Sequence, residues 1–201
     1  MQYLICIAIG YLLGCINPAY IIGKMHGVDI REYNTGNAGA SNVTTAFGWK
    51  EGVITAVIDI LKSFAAAMIC ASLYPNMEAA PFIGGACAIL GHIFPFYLGF
   101  RGGKGYASYM GMAFAVNWKF ALILVVLGVV ITLVTDYIAL ATMSTTVVTP
   151  VYYLFKHQSY LVIGILLLLM AVIFYKHRIN IVRIIHKEEI GLRNVNKHRI
   201  N

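Results

Sequence analysis

The chain has 201 residues, 60% hydrophobic and only 11% charged, with a formal net charge of +7. A water-soluble domain carries roughly a quarter charged residues, so this composition excludes an ordinary soluble enzyme and predicts a polytopic membrane protein. The four cysteines (Cys6, Cys15, Cys70 and Cys87) all lie in apolar runs without a C-x-x-C pair. They fit neither a metal site nor a disulfide framework and read as small buried residues.

A membrane-spanning helix needs roughly 20 mostly apolar residues. Taken in order, the candidate segments are about 3–23, 52–74, 80–99, 107–117, 119–135, 138–155 and 158–175. The first is too long for a signal h-region and is expected to stay as a helix. Its Gly10-x-x-x-Gly14 pair predicts close helix packing. In the second, Asp59 and Lys62 stand three apart, deep in the apolar run. Ionised groups at that depth pair or line a cavity, so they are expected to form an intramembrane ion pair bracing a site. The fourth segment is too short to span and reads as a half-helix packed against protein. The fold class expected is all-α, a helical bundle of about seven transmembrane helices in one domain, residues 1–201.

With the N-terminus outside, the inner segments hold Lys24, Arg31, Lys50, Arg101, Lys104, Lys176, Arg178, Arg183, Lys187, Arg193, Lys197 and Arg199, against Lys119 and Lys156 outside. That bias sets the orientation by the positive-inside rule and puts the C-terminus in the cytoplasm. It also gathers three unusual polar stretches on the cytoplasmic face.

The first is "NTGNAGASN", residues 34–42. Its glycines and asparagines tolerate left-handed backbone and can aim successive N–H groups at one anion, although a solvated turn has the same composition. The second is "GFRGGKGYAS", residues 99–108. It fails as a nucleotide-binding P-loop, because Leu98 and Gly105 stand where that motif needs glycine and a hydroxyl and no strand precedes it. Backbone N–H groups at Gly102, Gly103 and Gly105, with the start of the next helix, remain an expected anion site, and Lys104 adds a point charge suited to phosphate. His92, just upstream, reads either as a functional group or as a hydrogen bond between helices. In the third, "YKHRINIVRIIHKEE" (175–189), His177 and Asn180 share a helix face, Arg183 falls further along that side and Arg178 points elsewhere. A basic helix lying on anionic headgroups is the alternative reading.

No G-x-S-x-G elbow, H-E-x-x-H motif, carboxylate cluster or H-x4-D pair is present, which argues against serine-hydrolase and metal chemistry and against soluble-type glycerolipid acyltransferases. What the sequence offers suits a small phosphorylated substrate meeting a lipid.

Together "TGNAGASNV", "GHIFPFYLGFRGGKGYAS" and "HRINIVRIIHKEE" resemble, in order and over nearly the whole chain, the acyl-phosphate-dependent glycerol-3-phosphate acyltransferases of bacteria, the PlsY type. The resemblance implies acyl transfer from acyl phosphate to the 1-hydroxyl of glycerol 3-phosphate in the plasma membrane. It implies no metal, no cofactor and no acyl-carrier protein, and partners that are membrane lipids and these substrates, not nucleic acid. Lys104, His177 and Asn180 would be catalytic: Lys104 holding phosphate, the other two orienting or deprotonating the acceptor hydroxyl. Thr35, Gly36, Asn37, Gly39, Ala40, Ser41, Asn42, His92, Arg101, Gly102, Gly103, Gly105, Thr142 and Glu189 would bind substrate.

The chain departs from the family pattern at Thr45, where the family has arginine. Thr35 replaces a serine, "ALAT" keeps a hydroxyl only at Thr142, and Lys187 or Glu188 stands in place of a glycine before Glu189. Arg31 or Arg183 would have to replace the missing cation, or a diverged paralogue would acylate another phosphorylated acceptor. A small transporter is the non-enzyme alternative; it would place polar residues at mid-membrane across broken helices.

Overall fold

The computed structural model describes residues 1–194; Lys197 and Arg199 of the inner-cation count lie outside them. Among the described residues the secondary structure is helical: α1 (Gln2–Cys15), α2 (Pro18–Met25), α3 (Ala40–Phe47), α4 (Trp49–Leu73), α5 (Ala80–Ile93), α6 (Tyr106–Val116), α7 (Trp118–Thr135), α8 (Ile138–Phe155) and α9 (Tyr160–Ile185), with 3-10 turns at Ile30–Glu32 and Phe96–Leu98. Among the described residues six stretches are long and apolar enough to cross a membrane: Gln2–Met25, Trp49–Leu73, Ala80–Leu98, Trp118–Thr135, Ile138–Phe155 and Tyr160–Ile185. These are the six full-length segments expected, and the short fourth segment of the expected seven is α6, 11 residues long.

Burial is inverted relative to a soluble protein. Leu61, Val126 and Leu168 are more than half exposed, while Asn17, Asn42, Asp59, Lys62 and Thr145 are buried. Apolar groups facing lipid and polar groups turned inward are what a hydrocarbon solvent requires.

Among the described residues two compact units divide the chain, 1–116 and 117–194. In the first, α1 packs on α5 and α4, and α4 packs on α5, α6 and α3. The glycine pair of α1 lies against α5 as its spacing predicts: a methyl on Gly14 would stand 2.6 Å from Ala88 Cα. The first span is not the continuous helix expected over 3–23. It breaks at Ile16, and Asn17 restarts it by accepting from Tyr20 N–H at 2.9 Å, with Pro18 in the first turn, where its missing N–H costs nothing.

In the second unit α7, α8 and α9 pack in sequence. The hydroxyls of Thr142, Thr145, Thr146 and Thr149, all buried on α8, donate to carbonyls of their own helix. That satisfies each group without a partner helix.

Candidate active site

In the first unit, the loop between α2 and α3 is built around Asn42. Its amide donates to the carbonyls of Ile30 (2.8 Å), Tyr33 (3.1 Å) and Asn37 (2.9 Å), and its Oδ1 accepts from Thr35 N–H at 3.1 Å. Gly36 takes φ +67 and Asn34 φ 46 to close the turn, and Asn37 donates to the Thr35 hydroxyl. Gly39 is the N-cap of α3 and has no side chain to cap it. The first-turn amides of α3, at Ala40 and Ser41, therefore form a positive helix end with Ser41 exposed.

This loop is tied to the loop between α5 and α6. Ala38 N–H donates to Gly102 O at 3.3 Å, and Arg31 Nη1 donates to Leu98 O at 2.7 Å. Asn17, at the break in the first span, donates to Ala38 O at 3.3 Å. A methyl on Gly39 would stand 3.8 Å from Gly103 Cα, so the α3 N-terminus and the glycine-rich loop are neighbours. Arg31 is itself bound to Asp29 at 2.7 Å and lies over the Tyr20 ring. The Arg31 hydrogen bond holds the Asp29 carboxyl at about 2, below the usual carboxylate range, and Asp29 raises Arg31 in turn. The guanidinium is thus engaged by the protein, which counts against it as the substitute phosphate ligand. Thr45 is buried and donates to Ser41 O at 3.0 Å.

The glycine-rich loop corrects one expectation. Gly102 and Gly103 do not aim their N–H groups at an anion; they donate at 3.1 Å to Ile93 O and His92 O. Gly99 (φ +61) and Phe100 (φ 60) turn the chain back, so the loop returns alongside the end of α5. Gly105, at φ +95, accepts from Tyr109 N–H at 2.8 Å and leads into α6. Lys104 is half-buried and Arg101 exposed.

Beneath the loop lies a buried charged cluster. Lys62 Nζ is 2.7 Å from Asp59 Oδ1, donates to Ile16 O at 2.6 Å and lies 3.0 Å from His92 Nδ1. His92 Nδ1 is also 3.1 Å from Asp59 Oδ1. The expected ion pair is present, and His92 belongs to it.

The second unit carries the remaining residues. His177 and Asn180, one turn apart on α9, are both buried. His177 Nδ1 lies 2.8 Å from Ile173 O. A carbonyl can only accept, so Nδ1 carries the hydrogen and the neutral ring keeps its lone pair on Nε2. Asn180 donates to Glu189 Oε1. Glu189 sits on a segment that leaves α9 through Lys187 (φ 62) and is held by Leu192 N–H on Asp136 O (3.0 Å) and Arg193 N–H on Asp136 Oδ1 (3.0 Å). Arg178 is exposed and stacks on Tyr175, its Cζ 4.0 Å from the ring centroid. Thr142, on α8, donates to Ile138 O at 3.0 Å.

The family model for glycerol-3-phosphate acyltransferase matches residues 4–187. The chain belongs to this family. It is 37% identical to glycerol-3-phosphate acyltransferase 1 of Oceanobacillus iheyensis, over 96% of both chains. Identity to the glycerol-3-phosphate acyltransferase of Bacillus subtilis is 35%, over 94% of this chain and 97% of that one. Among solved structures, the crystal structure of PlsY (YgiH), an integral membrane glycerol 3-phosphate acyltransferase in its glycerol 3-phosphate form, matches at TM-score 0.89 and 33% identity, over 96% of each chain. The lysophosphatidic acid form of PlsY matches at TM-score 0.85, over 97% of this chain and 98% of that one.

Within this family member, the first unit brings together Thr35 to Asn42 and Gly102 to Gly105. The second holds His177, Asn180, Glu189 and Thr142. Asn42 faces the protein on four sides, so its geometry is that of a residue ordering the loop. Sequence reading passed over Ser108, whose hydroxyl is buried without a hydrogen-bond partner among the described residues. Its place one turn after the G-G-K-G run was the available signal.

Proposed function

We propose that the chain moves an acyl group from acyl phosphate to the 1-hydroxyl of glycerol 3-phosphate, giving lysophosphatidic acid and inorganic phosphate. The observation that carries this reading is the joining of two phosphate-suited elements: the uncapped N-terminus of α3 against Gly103, with Lys104 directly following. The likeness to PlsY in its glycerol 3-phosphate and lysophosphatidic acid forms supports the acceptor and the product.

In this reading Lys104 holds a phosphoryl group and offsets charge developing on the phosphate as it leaves. A preorganised cation aimed at developing charge is usually the largest catalytic term. Thr35, Gly36, Asn37, Gly39, Ala40 and Ser41 supply the cradle, ordered by Asn42, with Gly105 completing the loop. Arg101 contributes positive potential at the rim. The acceptor oxygen attacks the acyl carbon and the bond from that carbon to the phosphate oxygen breaks. His177 Nε2 takes the hydroxyl proton or orients it, and the departing phosphate is its final acceptor. Asn180, fixed by Glu189, and Thr142 hold the acceptor. No step calls for a metal, a cofactor or an acyl-carrier protein. The whole chain acts as one domain of a bacterial plasma membrane, N-terminus outside, C-terminus and site cytoplasmic.

A donor comparison tests this. Purified enzyme given glycerol 3-phosphate should form product with acyl phosphate and none with acyl thioesters of coenzyme A or acyl-carrier protein; equal use of a thioester would remove the acyl-phosphate reading.

One observation favours a second reading, a different phosphorylated acceptor. At Thr45 a buried hydroxyl turned onto its own helix stands where the family pattern has arginine. Under that reading Thr45→Arg gains activity toward glycerol 3-phosphate; under the first, the wild-type chain already has it.

A further inference from the structure

The cluster of Asp59, Lys62 and His92 has a geometry that ion pairing alone does not explain. Asp59 lies ten residues into α4, about 15 Å along the helix from Trp49. Both charged side chains and the histidine are buried. A lysine ammonium has three N–H donors. Here three groups surround it: Asp59 Oδ1 at 2.7 Å, Ile16 O at 2.6 Å and His92 Nδ1 at 3.0 Å. His92 Nδ1 also lies 3.1 Å from Asp59 Oδ1, so the ring is held between the ammonium and the carboxylate whichever nitrogen carries its hydrogen.

The opposite edge of that ring is what the glycine-rich loop rests on. A side chain on Gly103 would run into His92 Nε2 and would lie 2.8 Å from Ala38 O. The same histidine's main-chain carbonyl takes the Gly103 N–H at 3.1 Å, and Ile93 O takes that of Gly102. His92 therefore holds Gly103 by both its ring and its backbone, one residue before Lys104. The ammonium also grips Ile16 O at the break in the first span, beside Asn17, which reaches Ala38. One buried lysine thereby fixes the floor under both loops.

We infer that Asp59 and Lys62 are positioning residues that act through His92 to set the Gly102–Gly105 loop for phosphate, and that His92 supports this loop without itself being the phosphate ligand. The inference rests on the reading of that loop as a phosphate site. Ile16, whose carbonyl Lys62 takes, is irregular backbone within the Gln2–Met25 span, and such backbone is tolerated only where protein surrounds it.

A double-mutant cycle tests it. Asp59→Asn, His92→Asn and the double variant are purified, the folded fraction is measured by gel filtration and thermal melting, and KM for both phosphorylated substrates is determined. Each single change should raise KM for a phosphorylated substrate about tenfold in protein that remains folded, and the double should be no worse than the worse single, because both act on one element. Multiplying effects, or an unchanged KM in folded single variants, would overturn the inference. A merely structural role lowers the folded fraction and leaves KM alone. Should Asp59→Asn not fold, Asp59→Glu keeps the charge while displacing it, and a wild-type KM in that variant would be equally fatal. Binding of inorganic phosphate, followed by phosphorus NMR, reads the same effect without catalysis. Weaker binding in the variants than in wild type supports positioning even if no acyl transfer is found, and equal binding contradicts it.

Discussion

The side-chain amide of Asn180 donates to Glu189 Oε1 across the end of α9. Glu189 reaches it because the chain after α9 turns back at Lys187 and is pinned to Asp136 by the N–H groups of Leu192 and Arg193. The orientation of a proposed acceptor-binding amide thus depends on an aspartate in the turn between α7 and α8.

Asp136→Ala should therefore act at a distance. Losing a hydrogen bond to a charged acceptor costs about 1.5–3 kcal/mol, expected here at the low end because Arg193 is exposed. Thermal melting should show that small loss, while kcat falls more than stability accounts for. A variant with wild-type kcat would separate this segment from Asn180.

Lys104→Ala should leave the helices intact, since the side chain is only half-buried. Removing one preorganised donor from developing charge costs about 10²–10³ in kcat, and the loss of phosphate binding adds to it. Steady-state assay of folded protein checks this. Lys104→Arg should recover little, because the guanidinium fork needs more room than a point charge.

Two glycines in the same loop make a matched pair. Gly103→Ala places a methyl against the His92 ring and Ala38 O, an overpacking worth about 1–3 kcal/mol, and should abolish most activity. Gly99→Ala meets nothing within 4 Å but keeps φ +61, so about 1–2 kcal/mol of backbone strain and near-normal activity are expected. Melting curves and specific activities of both variants decide it.

The acid side of the pH profile assigns the base. Asp29 is depressed to about 2 by Arg31, so its stabilising effect is complete above the ordinary carboxyl range and is lost as pH falls from that range through about 2. That anchor is constant from pH 5 to 8. If His177 Nε2 takes the hydroxyl proton, kcat/KM falls on acidification as that imidazole becomes protonated. His177→Gln should remove the dependence along with most of the rate. A flat wild-type profile would leave His177 an orienting group only.

How much of this was legible in the sequence depended on the range of the interaction. The spans and the short α6 followed from hydropathy, and the Asp59–Lys62 pair from its i, i+3 spacing, because both are local. The break at Ile16 had a local signal too, Asn17 followed by Pro18, but the apolar run on both sides masked it. His92's membership of the cluster joins residues 30 and 33 apart, and no periodicity encodes that. The N–H groups of Gly102 and Gly103 were read as aimed at an anion because nothing nearby in sequence accepts them; their acceptors lie across a turn at the end of α5. Asn42 looked like a ligand-facing residue for the same reason, and its partners are carbonyls brought round by the turn at Gly36.

The most direct test of the central claim is product formation by the purified wild-type chain in detergent micelles, supplied with acyl phosphate and glycerol 3-phosphate and no other donor. Lysophosphatidic acid and inorganic phosphate should form in equal amounts, both dependent on glycerol 3-phosphate. Folded protein that forms neither, or that releases phosphate at the same rate without the acceptor, would contradict that claim.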